Sequence, residues 1–141
     1  MRSSHHAVLS LVASVAAVWY LQPAAPAALV AAGTVAGVAI DLDHFPIARV
    51  RRGDWRAARR VLAAPWLVVT DPERIFDGGS LDALERLLTH VLVAGVACTA
   101  AWLAWPALGV VIGVSLYVHI VADLGHDVWW LHRSGDVPGP R

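Results

Sequence analysis

Apolar residues in this chain neither alternate nor recur every third or fourth position; they come in long runs. His6 to Leu21 is weakly polar at most, ends in Trp19-Tyr20 and is followed by Gln22-Pro23 and Pro26. Ala24 to Ile40 is a second run, in which Gly33 and Gly37 have the small-xxx-small spacing that lets membrane helices approach closely. Leu87 to Trp105 and Ala107 to Leu124 follow as a third and fourth, joined at Pro106, the last carrying another glycine pair, Gly109 and Gly113. Runs of this kind predict membrane-crossing helices. The expected fold is therefore all-α, an integral membrane bundle of four transmembrane helices within a single domain, 1–141, with spans near 6–21, 24–41, 87–105 and 107–124. The runs are short: about 17 residues reach only about 25 Å, so their polar ends belong at headgroup level or in a locally thinned bilayer. A secretory signal peptide is the rival reading of the first run, with Arg2 as its basic start and the Pro-Ala-Ala-Pro-Ala-Ala stretch as cleavage site. Paired His5-His6 is an odd basic region, and a second apolar run follows at once.

Between the second and third runs the pattern breaks. Residues 45–86 hold eight arginines (Arg49, Arg51, Arg52, Arg56, Arg59, Arg60, Arg74 and Arg86), Pro65, Pro72 and Asp77-Gly78-Gly79, and read as an extramembrane loop. Asp54 is placed to cap a short helix with Trp55, Leu62 and Trp66 near one side and arginines on the other. That segment either lies on anionic headgroups or is a solvated basic loop that only sets topology. Ser80 is a plausible N-cap for the helix that follows, and a tail over 127–141 carries Trp129, Trp130 and His132.

Composition agrees with the runs: 57% of the residues are apolar and 16% charged, with a mean hydropathy of +0.58, unlike a soluble domain of this size. The eleven basic residues are all arginine and are matched by eleven acids, which argues against a nucleic-acid footprint. The single Cys98 permits no internal disulfide. Arginine placement gives an orientation. The two short links carry none, so the middle loop and both termini are expected in the cytoplasm of a cell (inner) membrane, with Trp19, Trp102 and Trp105 as an aromatic belt opposite.

With that topology the chemistry gathers at one level. His5 and His6 begin the first span, Asp41, Asp43 and His44 end the second, His90 starts the third, and His119, Asp123 and His126 end the fourth. A carboxylate at bilayer depth costs roughly 2.5–3.5 kcal/mol or more, so these acids require protons, individual partners or a cation. His119, Asp123 and His126 share a helical face by their spacing of four and three. Asp41 and His44 are three apart, but Asp43 points away in a continuous helix, so convergence requires the helix to loosen, as Pro46 would encourage. Carboxylate oxygen and imidazole nitrogen suit zinc, manganese or iron; one or two ions, zinc or manganese, are expected. The candidate metal ligands are His5, His6, Asp41, Asp43, His90, His119, Asp123 and His126.

These residues resemble the membrane-bound metal-dependent hydrolase family, whose bacterial members include a LexA-regulated inner-membrane type. The matching positions are His5 or His6, Asp41-Leu42-Asp43-His44 for a Pro-Asp-Ile-Asp-His motif, Arg86 with Thr89-His90 for His-Arg-Gly-x-Thr-His, and His119 with Asp123 for Ser-His-x-x-x-Asp. The departures are Ile40 for the motif proline, Leu87 for the glycine and Glu85 for the first histidine of the third motif. Without that glycine the helix is expected to continue, leaving Glu85 about 140° from His90. Glu85 is then either a surface acid or, if the backbone opens, a substitute ligand or base.

The resemblance implies a hydrolase. A divalent ion activates water for attack on an ester or phosphoester at the cytoplasmic interface, with His44 as outer partner or proton shuttle and Glu85 as the further catalytic candidate. A lipid or membrane-associated phosphoester is the expected substrate and membrane lipid the expected partner. The rival classes are a non-catalytic membrane protein with a structural metal, and an ion or metal transporter.

Overall fold

The structure is a computed structural model, which describes residues 3–67, 74–75 and 83–134. The described segments are helical or short turns and links. In order they are α1 (Ser3–Leu21), α2 (Pro26–Ala39), a 3₁₀ turn (Ile40–Asp43), α3 (His44–Arg52), α4 (Arg56–Ala63), α5 (Ala83–Ala104) and α6 (Pro106–Ser134). Ser80, Pro72, Asp77-Gly78-Gly79 and the tail beyond Ser134 lie outside the described residues. Among the described residues four helices are long and apolar enough to cross a membrane: α1, α2 with its continuation to Arg52, α5 and α6. Their outer faces carry exposed Val8, Val12, Val15, Val35, Leu88, Leu92 and Val96, where a soluble bundle would carry polar side chains.

Prolines set the helix starts. Pro26 and Pro106 each occupy the first turn of a helix, where the missing N–H would have had no intrahelical acceptor. Between them, α1, α2 and α6 pack against one another, and α5 leans on α6 and on the 3₁₀ turn. The tight α5–α6 hairpin depends on Gly109: a Cβ there would lie 2.6 Å from the Trp102 Cα.

The three-helix seam is written in steps of four residues. His6, Ser10 and Ser14 on α1, Gly33 and Gly37 on α2 with Asp41 beyond it, and Ser115, His119 and Asp123 on α6 each mark one helical face. Ser14 packs on Gly33, and Ser10 and Ser115 meet at Gly37, where a Cβ would collide with both hydroxyls. Ser115 Oγ also donates to the Gly33 carbonyl at 2.7 Å. One layer further on, the seam becomes ionisable, with His6, His119 and Asp123 buried together. In the opposite direction it turns apolar, in a cluster of Ala17, Val18, Leu29 and Val111.

Beyond Asp43 the chain does not leave the helix at once, as the sequence pattern suggested, but continues into α3. Pro46 is tolerated because it sits in the first turn of α3. Gly53, at φ 78°, then ends α3 in the left-handed conformation. Asp54 Oδ1 accepts the amide of Arg56 at 3.0 Å, opening α4. The inward face of α4 is Ala57 with partly buried Val61, packed with Ala48, Phe45 and Ile75. Trp55, Leu62 and Trp66, expected on the apolar side, remain exposed beside Arg56 and Arg59.

Candidate metal centre

The local cause of the site is the change of helix type at Ile40. The Ile40 amide still bonds to the Ala36 carbonyl, as in an α-helix, and from Ile40 to Asp43 the chain winds as a 3₁₀ turn. Two residues subtend about 200° in an α-helix but about 240° in a 3₁₀ helix. Asp41 and Asp43 therefore sit about 40° closer to a common side than a continuous α-helix would allow. A junction from four-residue to three-residue bonding also releases a carbonyl. At this junction the Gly37 carbonyl accepts the Nδ1–H of His119 at 2.7 Å.

That hydrogen bond fixes the imidazole. With Nδ1 donating, Nε2 of neutral His119 has its lone pair directed away, and it lies 3.3 Å from Asp41 Oδ1 and 3.7 Å from Asp123 Oδ2. His90, arriving on α5, is held in the same way from a different partner, its Nδ1 bonding Asp43 Oδ2 at 2.8 Å. Its Nε2 is 3.5 Å from Asp41 Oδ1 and 4.0 Å from Asp123 Oδ2. His90 and His119 are both buried, and neither Nε2 has a hydrogen-bond partner among the described residues.

Four ligand atoms from Asp41, His90, His119 and Asp123 lie within 4.8 Å of one another. Their 3.3–4.0 Å nitrogen–oxygen separations exceed the about 2.7–2.9 Å of a direct charge-assisted bond. They are close to the about 3.4 Å edge of a tetrahedron whose ligands stand about 2.1 Å from its centre. This buried Asp/His cluster can hold a metal ion. Two orphaned imidazole nitrogens aimed at two carboxylates, each ring fixed through its other nitrogen, fit a cation better than four separately solvated groups.

Compared with family models, curated proteins and solved structures, the chain matches none.

The remaining candidates fall around this group. Asp43 is handed to His90 rather than to the four-atom cluster, although Asp43, His44 and His90 also offer three mutually close ligand atoms. His44 stacks on His90, ring centroids 5.3 Å apart, with a side chain 16% exposed. His6 is buried, stacks on His119 at 4.0 Å and places Nε2 3.0 Å from Asp123 Oδ1. His5, one step around α1, is exposed. His126 shares the face of His119 but lies seven residues, about 10.5 Å, further along the axis, where it approaches Asp127. Glu85 is not brought to the cluster: α5 runs unbroken past it, and its carboxylate pairs with Arg51 Nε at 2.7 Å on the exposed surface.

Arg86 completes the rim. Its Nη2 donates to Asp127, and its Nε is 3.9 Å from Asp123 Oδ2. Arg51–Glu85 thus ties α3 to α5, and Arg86–Asp127 ties α5 to α6. The seam serines, the Gly37 carbonyl and the Arg86–Asp127 pair were not singled out by sequence reasoning. The step-of-four recurrence of small and polar residues, His6/Ser10/Ser14 against Gly33/Gly37 and Ser115/His119, was the available signal.

Proposed function

We propose that this chain is a membrane-embedded, metal-dependent hydrolase that opens an ester or phosphoester at the membrane interface. The convergence of His90 and His119 Nε2 on the Asp41 and Asp123 carboxylates carries the reading, and the motif resemblance supports it. A divalent ion, zinc or manganese by the chemistry of two nitrogen and two oxygen donors, would be held by Asp41, His90, His119 and Asp123. When bound, such an ion acidifies water and polarises an ester or phosphoryl oxygen.

The chain's own groups have separate duties. Asp43 and the Gly37 carbonyl hold the two imidazoles in the tautomer that presents Nε2. His6 steadies Asp123. His44, at the partly exposed edge, is the candidate for moving a proton between water and the leaving group. The arginine distribution supports an inner-membrane orientation with both termini and the α3–α4 segment in the cytoplasm.

One observation favours a second reading. Four protein donors close the sphere of a tetrahedral ion, as in structural zinc sites, whereas catalytic sites keep a position open. A metal that only staples α2, α5 and α6 would be the outcome of that design. Metal analysis of detergent-purified protein, followed by assay against phosphomonoester, phosphodiester and acyl-ester lipids, tests the first reading. Bound metal with metal-dependent turnover supports it; bound metal without turnover on any of the three classes leaves the structural role in its place.

A further inference from the structure

Resting on the hydrolase reading, the geometry points to Arg86 as the anion-recognition residue of the site, and to a phosphate-bearing substrate. The charges at the cage frame the problem. Asp41, Asp43 and Asp123 bring three negative charges and a divalent ion returns two, while Arg86 and Asp127 offset each other. An anionic substrate would therefore approach a centre that repels it unless a cationic donor faces it directly.

Arg86 is built for that part. It is the fourth residue of α5, one helical turn before His90, with its side chain 22% exposed, so that the guanidinium can be reached from the rim. Nη2 is engaged by Asp127. Nε, at 3.9 Å from Asp123 Oδ2, is beyond hydrogen-bonding distance. The planar fork thus keeps N–H donors beside a carboxylate of the cage without spending them on it, and a guanidinium fork matches phosphate oxygens two at a time. An acyl ester presents a neutral carbonyl and gives such a fork little to hold in the ground state; a phosphoester carries anionic non-bridging oxygens next to the bond that breaks. Asp127, one turn beyond Asp123, keeps the fork aimed along the rim.

The shared chemistry is a phosphate group, whether on a lipid or on a soluble molecule. The test uses the full chain in phosphatidylcholine nanodiscs, loaded with zinc, with orthophosphate as the probe and bound metal measured alongside. Wild type is expected to bind orthophosphate. Arg86→Gln should weaken that binding at least tenfold while keeping its zinc, and Arg86→Lys, which retains charge but not the fork, should weaken it several-fold with zinc unchanged. Nanodiscs doped with phosphatidate then separate the sources: competition with orthophosphate assigns the group to a lipid, and orthophosphate binding that phosphatidate does not disturb assigns it to a soluble phosphoester. Wild-type phosphate affinity in both variants, zinc-loaded wild type that binds no orthophosphate, or loss of zinc in both variants overturns the assignment, the last making Arg86 a strut for Asp123. A wild-type protein that takes up no metal overturns the hydrolase reading itself.

Discussion

The Nδ1 of His119 bonds the carbonyl oxygen of Gly37 at 2.7 Å, across the α2–α6 interface and at the point where α2 tightens into a 3₁₀ turn. A glycine serves here because two hydroxyls, from Ser10 and Ser115, occupy the space a side chain would need. Packing and the orientation of the His119 ring are therefore one feature.

Gly37→Ala is expected to destabilise the bundle by about 1–3 kcal/mol through overpacking and to lower metal affinity with it. Gly95→Ala is the control, since a Cβ there meets nothing within 4 Å and alanine is the better helix former by up to about 1 kcal/mol. Thermal unfolding in detergent should separate the two; equal melting temperatures would contradict the close approach.

His119→Ala and Asp41→Ala each remove a ligand atom from the cluster and should leave purified protein without stoichiometric metal. Asp43→Asn alters the partner of His90 Nδ1 while leaving all four cluster ligand atoms in place, and should cost about 10–100-fold in metal affinity. A metal titration that ranks Asp43→Asn with the two alanine variants would instead make Asp43 a direct ligand.

Glu85→Gln should change neither metal content nor turnover, and stability by no more than about 1 kcal/mol, because Arg51–Glu85 is an exposed pair. A large loss of turnover with the helix content intact would return Glu85 to the reaction. His44→Gln has the opposite expectation: metal retained, turnover reduced.

Chelation discriminates between the two roles proposed for a bound ion. Ligand bound at 100 times its dissociation constant stabilises the folded state by about 2.7 kcal/mol, so removal should lower the melting temperature while far-UV circular dichroism at room temperature stays helical. Loss of the helical signal on chelation would assign the ion a structural role. Metal affinity should also fall as pH is lowered, because protons compete for the same imidazole nitrogens.

Sequence runs were enough to place the four long helices, since Ala24–Ile40 and Ala107–Leu124 are apolar around most of their circumference and near the length of a span. The gathering of Asp41, His90, His119 and Asp123 followed from the up-and-down order of those runs. What the pattern could not supply was phase and height. His6 and His5 differ by 100° on one helix, and only the packing of Ser10 and Ser14 at Gly37 and Gly33 selects His6. His126 has the right face at the wrong height. The helix is expected to loosen at Asp43 on account of Pro46; it does change there, by a shift to 3₁₀ winding over Ile40–Asp43, while Pro46 sits undisturbed in the helix that follows. That shift gives Asp41 to the four-residue cluster and Asp43 to His90, a division of labour that the identical residue types conceal.

The apolar cluster of Ala17, Val18, Leu29 and Val111 has an electrical consequence. It acts as an insulator across the far half of the bundle, so most of any transmembrane voltage falls there, where an elementary charge would change energy by about 2.3 kcal/mol per 100 mV for a full crossing. An ion reaching the cluster from the side of the partly exposed Asp41 and Arg86 would traverse little of that drop. Its occupancy should follow the composition of one aqueous compartment and be nearly indifferent to whether the membrane is energised.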